Sequence, residues 1–311
     1  MGGFQHRPVL LAEVVAVLQP RAGGRYVDAT VGGGGHAAAL LEASAPSGWL
    51  FGCDRDPAAI AAAAERLAGF AGRFELRLGA FERLGEWLAP GSCEGVVADL
   101  GVSSHQIDTA ERGFSFVNDG PLDMRMNPQV GRTAADWVNE TPAEELARLF
   151  AELGDERHAR RIARAIAEDR ERSPFTTTRQ LAGLIERVVP RRGAAVHPAT
   201  RVFQALRMVV NDELGALERG LEAAWRVLRC GGRLACVTFH SGEVRVVRRF
   251  GRVRARDYEV AGEVDVPELR RLRPAQLNWV TRRAVVPTDE ELAANPRARS
   301  AQLRVMEKLA D

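Results

Sequence analysis

The sequence predicts a doubly wound α/β fold with a helical domain inserted into it, and three observations carry that reading. First, a short apolar run, Arg25-Tyr-Val, leads into Asp28-Ala-Thr-Val-Gly-Gly-Gly-Gly-His36 and then an alanine- and leucine-rich stretch, Ala37 to Ala43. This is the order strand, glycine turn, helix, which brings bare backbone N–H groups to a helix N-terminus and suits a nucleotide-like ligand. Second, strand-like and helix-like runs go on alternating, as a mostly parallel sheet with helices on both faces requires. Third, about 100 residues separate the fourth strand from the helix that feeds the fifth, far more than a crossover connection needs.

Each element has a local reason. Strand one covers Arg25–Ala29, and strand two, Trp49–Cys53, ends in Asp54. Asp56 is a natural N-cap and Pro57 a natural first residue for a helix continuing over Ala58–Leu67. Strand three is Phe74–Leu78, and strand four is Gly95–Leu100 with Asp99 near its carboxyl end. Inside the long insertion, Pro142–Leu153, Asp155–Arg172, Thr178–Val188 and Pro198–Met208 have helical periodicity. A helix from Asp212 to Leu228 and a Gly231-Gly232 turn lead to strand five, Arg233–Phe239, and Leu277–Ala284 and Leu303–Lys308 read as two final strands. Residues 1–104 and 212–311 are therefore expected to form the α/β domain, and residues 105–211 a helical substrate-recognition domain.

Composition narrows the class. The chain has 311 residues, 46% of them hydrophobic, with a net charge of +2, which suits a globular protein with one large domain or two ordinary ones. No apolar run approaches the length of a membrane span, and the first residues lack the apolar region of a secretory signal, so the cytoplasm is the expected compartment. Cys53, Cys93, Cys230 and Cys236 show no Cys-x-x-Cys spacing, so neither a metal site nor a disulfide is expected. Of the 43 basic residues all but Lys308 are arginine, a cation that offers planar bidentate donors to phosphate.

The glycine turn is the candidate cofactor site. Asp54 stands 19 residues after Gly35, at the end of the next strand, where an acid accepts the ribose hydroxyls of an adenosine. Adenosine binding alone leaves both NAD and S-adenosylmethionine open. Asp28, just before the glycines, and Asp99, at the end of strand four, favour the second: three carboxylates around one crevice repel a pyrophosphate and suit a sulfonium amino acid. His36 opens the following helix and reads as a cofactor contact or a neutral helix-terminus residue. Phe81, after strand three, reads as an adenine-stacking ring or a core residue.

On the target side, the stretch from Asp99 through Met126 is polar and glycine-bearing, the character of a functional loop at a sheet edge. Arg157, Arg160, Arg161 and Arg164 fall at i, i+3, i+4 and i+7, one face of a helix. Further arginine clusters lie at Arg245–Arg256 and Arg270–Arg273, and all three patches fit phosphate binding.

Several strings together resemble a known family. They are His6-Arg-Pro-Val-Leu-Leu-x-Glu13, Asp28–His36, Asp54-Arg-Asp-Pro57, Asp99-Leu-Gly-Val-Ser-Ser104, Glu111-Arg-Gly-Phe-Ser-Phe116, Asp119-Gly-Pro-Leu-Asp-Met-Arg-Met126, His197-Pro-Ala-Thr-Arg201 and Asn295-Pro-Arg-Ala-Arg-Ser300. In these the chain resembles the bacterial 16S ribosomal RNA cytosine-N4 methyltransferases over essentially its whole length. The resemblance implies a Rossmann-like class I methyltransferase sheet with an inserted helical domain. It also implies S-adenosylmethionine as cofactor and, as substrate, a decoding-region (P-site) cytidine in small-subunit ribosomal RNA, naked or in the assembled subunit. Carried over residue by residue, the cofactor contacts are Gly34, Gly35, His36, Asp54, Phe81, Asp99 and Gln106. The candidate RNA contacts are Arg157, Arg160, Arg161 and Arg164 with His240 and Ser241, and no membrane partner is implied; a homo-oligomer is compatible with the sequence. The family pattern after strand five is Phe-His-Ser-Leu-Glu-Asp, whereas here Phe239-His-Ser-Gly-Glu-Val244 stands. Gly242 and Val244 are thus departures, expected to shift helix capping there.

The expected chemistry is in-line methyl transfer to an exocyclic amine. Its nitrogen lone pair is delocalised into the ring, so an acceptor must hold an N4 hydrogen. Asp99 or the backbone carbonyls of Leu100–Ser103 can do so, and Asp99 can equally serve the cofactor. The rival readings are an NAD-dependent oxidoreductase, a catalytically silent ribosome-assembly factor, and a DNA cytosine methyltransferase. The last lacks support because no Pro-Pro-aromatic motif follows strand four.

Overall fold

The computed structural model describes residues 8–190, 197–261 and 264–310; His6 and Arg7 of the first string lie outside them. In chain order the elements are α1 (Leu11–Leu18), β1 (Arg25–Asp28), α2 (Gly35–Ala43), β2 (Trp49–Asp54), α3 (Pro57–Leu67), β3 (Phe74–Leu78), α4 (Leu84–Trp87), β4 (Cys93–Asp99) and α5 (Ser104–Asp108). Then come α6 (Ala134–Glu140), α7 (Ala143–Gly154), α8 (Ala159–Arg170), α9 (Thr178–Val188), α10 (Thr200–Val210), α11 (Glu213–Val227), β5 (Leu228–Thr238) and α12 (Ser241–Arg254). The chain closes with β6 (Tyr258–Val260), β7 (Arg270–Leu272), β8 (Leu277–Trp279), α13 (Asp289–Ala294) and β9 (Gln302–Lys308). It separates into two compact units, Met1–Gly101 with Leu214–Asp311, and Val102–Glu213.

The first unit is a seven-stranded sheet of order β3-β2-β1-β4-β5-β9-β8. Strands β1 to β5 are parallel, and β9 runs antiparallel to both β5 and β8. The strand order reverses between β1 and β4, the switch point outside whose carboxyl ends ligands bind in such sheets. The two-residue period of a strand sorts the core into two layers. Tyr26, Leu50, Val97, Ala235, Val237, Leu303 and Val305 pack with α1, α2 and α3 on one face. Their neighbours Val27, Phe51, Val96, Ala98, Leu234, Cys236 and Met306 pack with α11 and α12 on the other. Burying each such aliphatic side chain contributes about 1.5–3 kcal/mol before the entropy of ordering it is counted.

Helix α3 starts as its sequence dictates: Pro57 is the first residue, and the Asp56 carboxylate accepts from the Ala58 amide at 3.0 Å. Other elements correct the sequence reading. The Gly231-Gly232 pair does not end an element; it forms an irregularity within β5, where Gly231 takes φ +77° and the pairing with β4 shifts register between the Cys93/Leu228 and Gly95/Arg233 pairs. The strand expected over Leu277–Ala284 stops at Trp279, and Val285 makes only an isolated bridge to Leu303. The Arg245–Arg256 cluster is mostly helix α12, with Val246, Val247 and Phe250 buried between outward arginines, and Arg270–Arg273 begins with strand β7.

The second unit is helical around its own core, built from Leu146, Phe150, Ile162, Ile166, Leu181, Ile185, Phe203 and Leu206. The helix expected from Asp155 begins at Ala159 instead, because Asp155 adopts the left-handed conformation (φ +51°) that terminates α7. Much of the loop from Glu111 to Met126 is tied down here. Leu122 and Met124 enter the core, Asn211 bridges the Met126 amide and the Met124 carbonyl, and Asp119 accepts from the Arg179 amide at 3.0 Å. A Cβ on Gly113 would come within 2.1 Å of the Pro121 carbonyl, and one on Gly120 within 1.9 Å of the Ala110 carbonyl. Those glycines are forced by close backbone approach.

Candidate active site

Parallel register builds the site. Asp28 is the last residue of β1 and pairs with Gly52 of β2 and Val97 of β4. Asp54 and Asp99 each lie two residues beyond those partners. All three acids therefore share the parity of Tyr26, Leu50 and Val97 and belong to one face of the sheet, the face that carries α2. The outer two stand at equal height, on either side of the glycine turn above β1.

The turn itself is fastened to two of these acids. Gly32 (φ +49°) donates its amide to Asp54 Oδ2 at 2.9 Å, and Thr30 donates its amide to Asp28 Oδ1 at 3.3 Å. The Thr30 hydroxyl accepts from the Asp99 amide at 2.8 Å, so Thr30 links the ends of β1 and β4. Gly34, in the left-handed region (φ +76°), is the N-cap of α2. A Cβ on Gly35 would meet the Pro8 ring at 2.8 Å, so the strand-to-helix turn admits no side chain there.

His36 is buried. Its Nε2 donates to the Val9 carbonyl at 3.1 Å, and its Nδ1 lies 3.8 Å from Asp99 Oδ2. The Asp54 carboxylate also accepts from the Asp56 amide at 2.9 Å through Oδ1. The Arg55 amide also bonds this carboxylate, which is thus held by three backbone amides. Among the described residues, Asp28 Oδ2 and Asp99 Oδ1 are buried without a hydrogen-bond partner.

Burial dominates the electrostatics. It pushes the Asp28 carboxyl up to about 7, with the Asp54 charge adding and the amides of Thr30 and Ala37 opposing. Asp99 is held well above the usual carboxylate range by burial first, then by the negative charges of Asp28, Glu243 and Glu291. Asp54 is raised by burial, and the amides of Asp56 and Gly32 pull it back. Burial makes all three acids costly to ionise alone, and a neighbouring positive charge would offset that cost. The arrangement fits a sulfonium amino acid and opposes a pyrophosphate.

The remaining expected cofactor contacts and the expected arginines belong to the sheet core or to the second unit. The Phe81 ring is in the core below β3, packed so closely on α11 that a Cβ on Gly220 would lie 2.0 Å from it. Gln106 belongs to the second unit, where its side chain accepts from the Ser103 amide at 3.0 Å and closes the capping box of α5. Arg160, Arg161 and Arg164 are exposed on α8, and Arg157 sits in the turn before it. None of the four makes a hydrogen bond or ion pair to a described residue.

At the carboxyl end of β5, His240 caps α12: its Nδ1 accepts from the Glu243 amide while Glu243 Oε2 accepts from the amides of Phe239 and His240. The capping pair of α12 is His240 and Glu243, and neither Gly242 nor Val244 contributes a side chain to it. Sequence reasoning missed Thr30, Glu243 and Glu291. Glu291 on α13 accepts from the Leu10 amide at 2.8 Å, joining chain segments 281 residues apart. Its only sequence signal was that the flanking strings, His6–Glu13 and Asn295–Ser300, both belong to the resemblance.

Comparison with known proteins agrees with this geometry. The MraW methylase family model matches residues 3–309. A protein of Geobacter sulfurreducens named ribosomal RNA small subunit methyltransferase H is 52% identical, covering 98% of this chain and 99% of the relative. Proteins of the same name from Paramagnetospirillum magneticum and Heliobacterium modesticaldum are 50% and 45% identical, each across 98% of this chain and 96% and 99% of their own lengths.

Proposed function

The chain belongs to the MraW methylase family, and on that premise we propose that it transfers a methyl group from S-adenosylmethionine to the exocyclic N4 amine of a cytidine in small-subunit ribosomal RNA. The observation that carries the reading is the pair of buried, unpartnered carboxylate oxygens on Asp28 and Asp99, on one face of the sheet at the glycine turn. They call for a cationic ligand.

When bound, S-adenosylmethionine supplies an electrophilic methyl carbon on a sulfur that leaves as a neutral thioether. The protein's part is chiefly positioning. Asp54 would receive the ribose hydroxyls, Gly34 and Gly35 would allow close approach at the start of α2, and Asp28 would hold the ammonium group. Asp99 holds an N4 hydrogen and so directs the nitrogen lone pair at the methyl carbon. With its proton affinity raised by burial, Asp99 would be suited to accept the proton that the methylated amine releases. The target cytidine must leave its stack, which costs a few kcal/mol in a duplex and less in a loop.

Residues Val102–Glu213 form the substrate-recognition unit in this reading, with the free arginines of α8 meeting RNA phosphates. The assembled small subunit in the cytoplasm is the proposed setting. Among the described residues no helix is long and apolar enough to cross a membrane. The test is mass mapping of small-subunit RNA after incubation with protein and labelled cofactor. One methylated cytidine is expected; unlabelled RNA, or binding of NADH in place of S-adenosylhomocysteine, would overturn the proposal.

A further inference from the structure

Helix α12 leaves the carboxyl end of β5 and presents Arg245, Arg248, Arg249 and Arg252 at i, i+3, i+4 and i+7, all exposed. They line one side of an open cleft of about 460 Å³, with Leu214 and Glu218 of α11 also lining it. Arg249 is ion-paired to Glu218. Arg245, Arg248 and Arg252 make no hydrogen bond or ion pair to a described residue.

Of the other arginines of the two C-terminal clusters, Arg271 is exposed on β7 and the remaining four are engaged in the fold. Arg254 pairs with Glu222 and lies 3.9 Å from the Phe250 ring centroid. Arg256 and Arg270 both pair with Asp265, and Arg273 donates to the Val253 carbonyl. The structure thus sorts arginines that look equivalent in sequence into structural ones and an unneutralised row. The positive field of that row is felt beneath it: Arg304 on β9 has a lowered pKa, through burial first and Arg248 second.

Gly242 helps to keep the cleft open. It is one of the two departures from the family pattern, and a Cβ there would press on the His240 ring at 3.1 Å and the Leu214 side chain at 3.4 Å. At the other departure, Val244 stands where the pattern has an acid, so no carboxylate from that position offsets the row.

We propose that the Arg245–Arg248–Arg252 row is a phosphate-binding track for the RNA strand flanking the methylated cytidine. This rests on the ribosomal-RNA reading above. The row spans about 10 Å of helix, enough to meet more than one phosphate of a strand whose charges recur every few ångströms. It starts at the sheet edge that carries the acids, so a strand delivering its base to that edge continues along α12.

The test compares the wild-type chain with the triple variant Arg245→Gln/Arg248→Gln/Arg252→Gln, and with Arg254→Gln/Arg256→Gln as a control for paired arginines. A short single-stranded RNA carrying the target cytidine is titrated across a salt series. Each lost phosphate contact flattens the dependence of log affinity on log salt by about 0.7, so the triple variant should flatten it by about 2. Its KM for RNA should rise at least tenfold, while kcat at saturating RNA and S-adenosylhomocysteine affinity stay at wild-type values, the latter also reporting an intact fold. The control should keep the wild-type slope. An unchanged slope and KM in the triple variant would overturn the assignment, as would contact with an acidic protein, which leaves the naked-RNA slope unaltered. If the wild-type chain methylates neither this RNA nor the assembled small subunit, the functional reading itself fails.

Discussion

Asp28 is a single residue that opposes stability at neutral pH and, in the proposed reading, serves the cofactor. Its folded carboxyl titrates near 7 instead of 3.8. A carboxyl whose pKa is raised on folding favours the folded state while it is protonated in both states. That contribution is present below the unfolded value and lost as pH rises toward the folded one, at roughly 1.4 kcal/mol per unit between the two. Asp28→Asn should therefore raise the melting temperature of the cofactor-free protein at pH 8 and weaken S-adenosylmethionine binding. In the wild type, calorimetric affinity for the cofactor should increase from pH 6 to pH 8; a flat profile would contradict the pairing of Asp28 with a cation. Asp54→Ala removes the ribose acceptor and should weaken cofactor binding by roughly ten- to a hundredfold, the worth of a charged hydrogen-bond acceptor. Calorimetry of S-adenosylhomocysteine checks this, and wild-type affinity would refute it. Asp99→Asn should lower kcat by more than it lowers cofactor affinity. Equal losses would leave Asp99 a cofactor ligand without a role toward the amine. The lone lysine is a contrasting case: Lys308 is buried, with Nζ donating to the carbonyls of Trp225 and Leu228 at 3.1 and 2.9 Å, so it satisfies the end of α11 and offers nothing to a ligand.

At the level of elements, the helices divide into those that build the sheet's covering layers and those that display charge. Helix α3 owes its start to Asp56, and Asp56→Ala should cost about 1 kcal/mol of stability by chemical denaturation. Helix α8 buries Ile162 and Ile166 and leaves Arg160, Arg161 and Arg164 outside. Charge reversal with Arg160→Glu/Arg161→Glu should raise the RNA concentration needed for half-maximal methylation without altering cofactor affinity. Identical RNA binding by variant and wild type across a salt series would remove α8 from the proposed interface. The periodicity of α12, with Val246, Val247 and Phe250 inward, was present in the sequence, but an arginine-rich string draws the eye to charge before period.

Across the whole molecule, each unit has a hydrophobic core of its own, and Asp28, Asp54 and Asp99, the acids proposed to hold the cofactor, all belong to the sheet unit. Two calorimetric transitions are therefore expected. Saturating S-adenosylhomocysteine should shift the sheet unit's transition, by about 2.7 kcal/mol at a hundredfold excess over Kd. A single transition that moves as one would show that the units melt together. The sheet unit is also closed by its own ends, since Glu291 holds the Leu10 amide while the Val9 carbonyl holds His36.

Sequence alone determined the strand–glycine–helix turn, the cap at Asp56, strand β3 and helix α9, because each is marked by a local pattern of residue types. It also placed Asp28, Asp54 and Asp99 at strand ends, since strand termini can be read from local pattern. Tertiary structure decided that these acids share one face at matched height, because parity and register between strands are fixed by pairing and not by spacing along the chain. It likewise decided that the Phe81 ring packs in the core on Gly220, that His240 is a cap, and which arginines are neutralised. Those outcomes depend on what lies opposite a side chain after folding, and no local stretch of sequence carries that information.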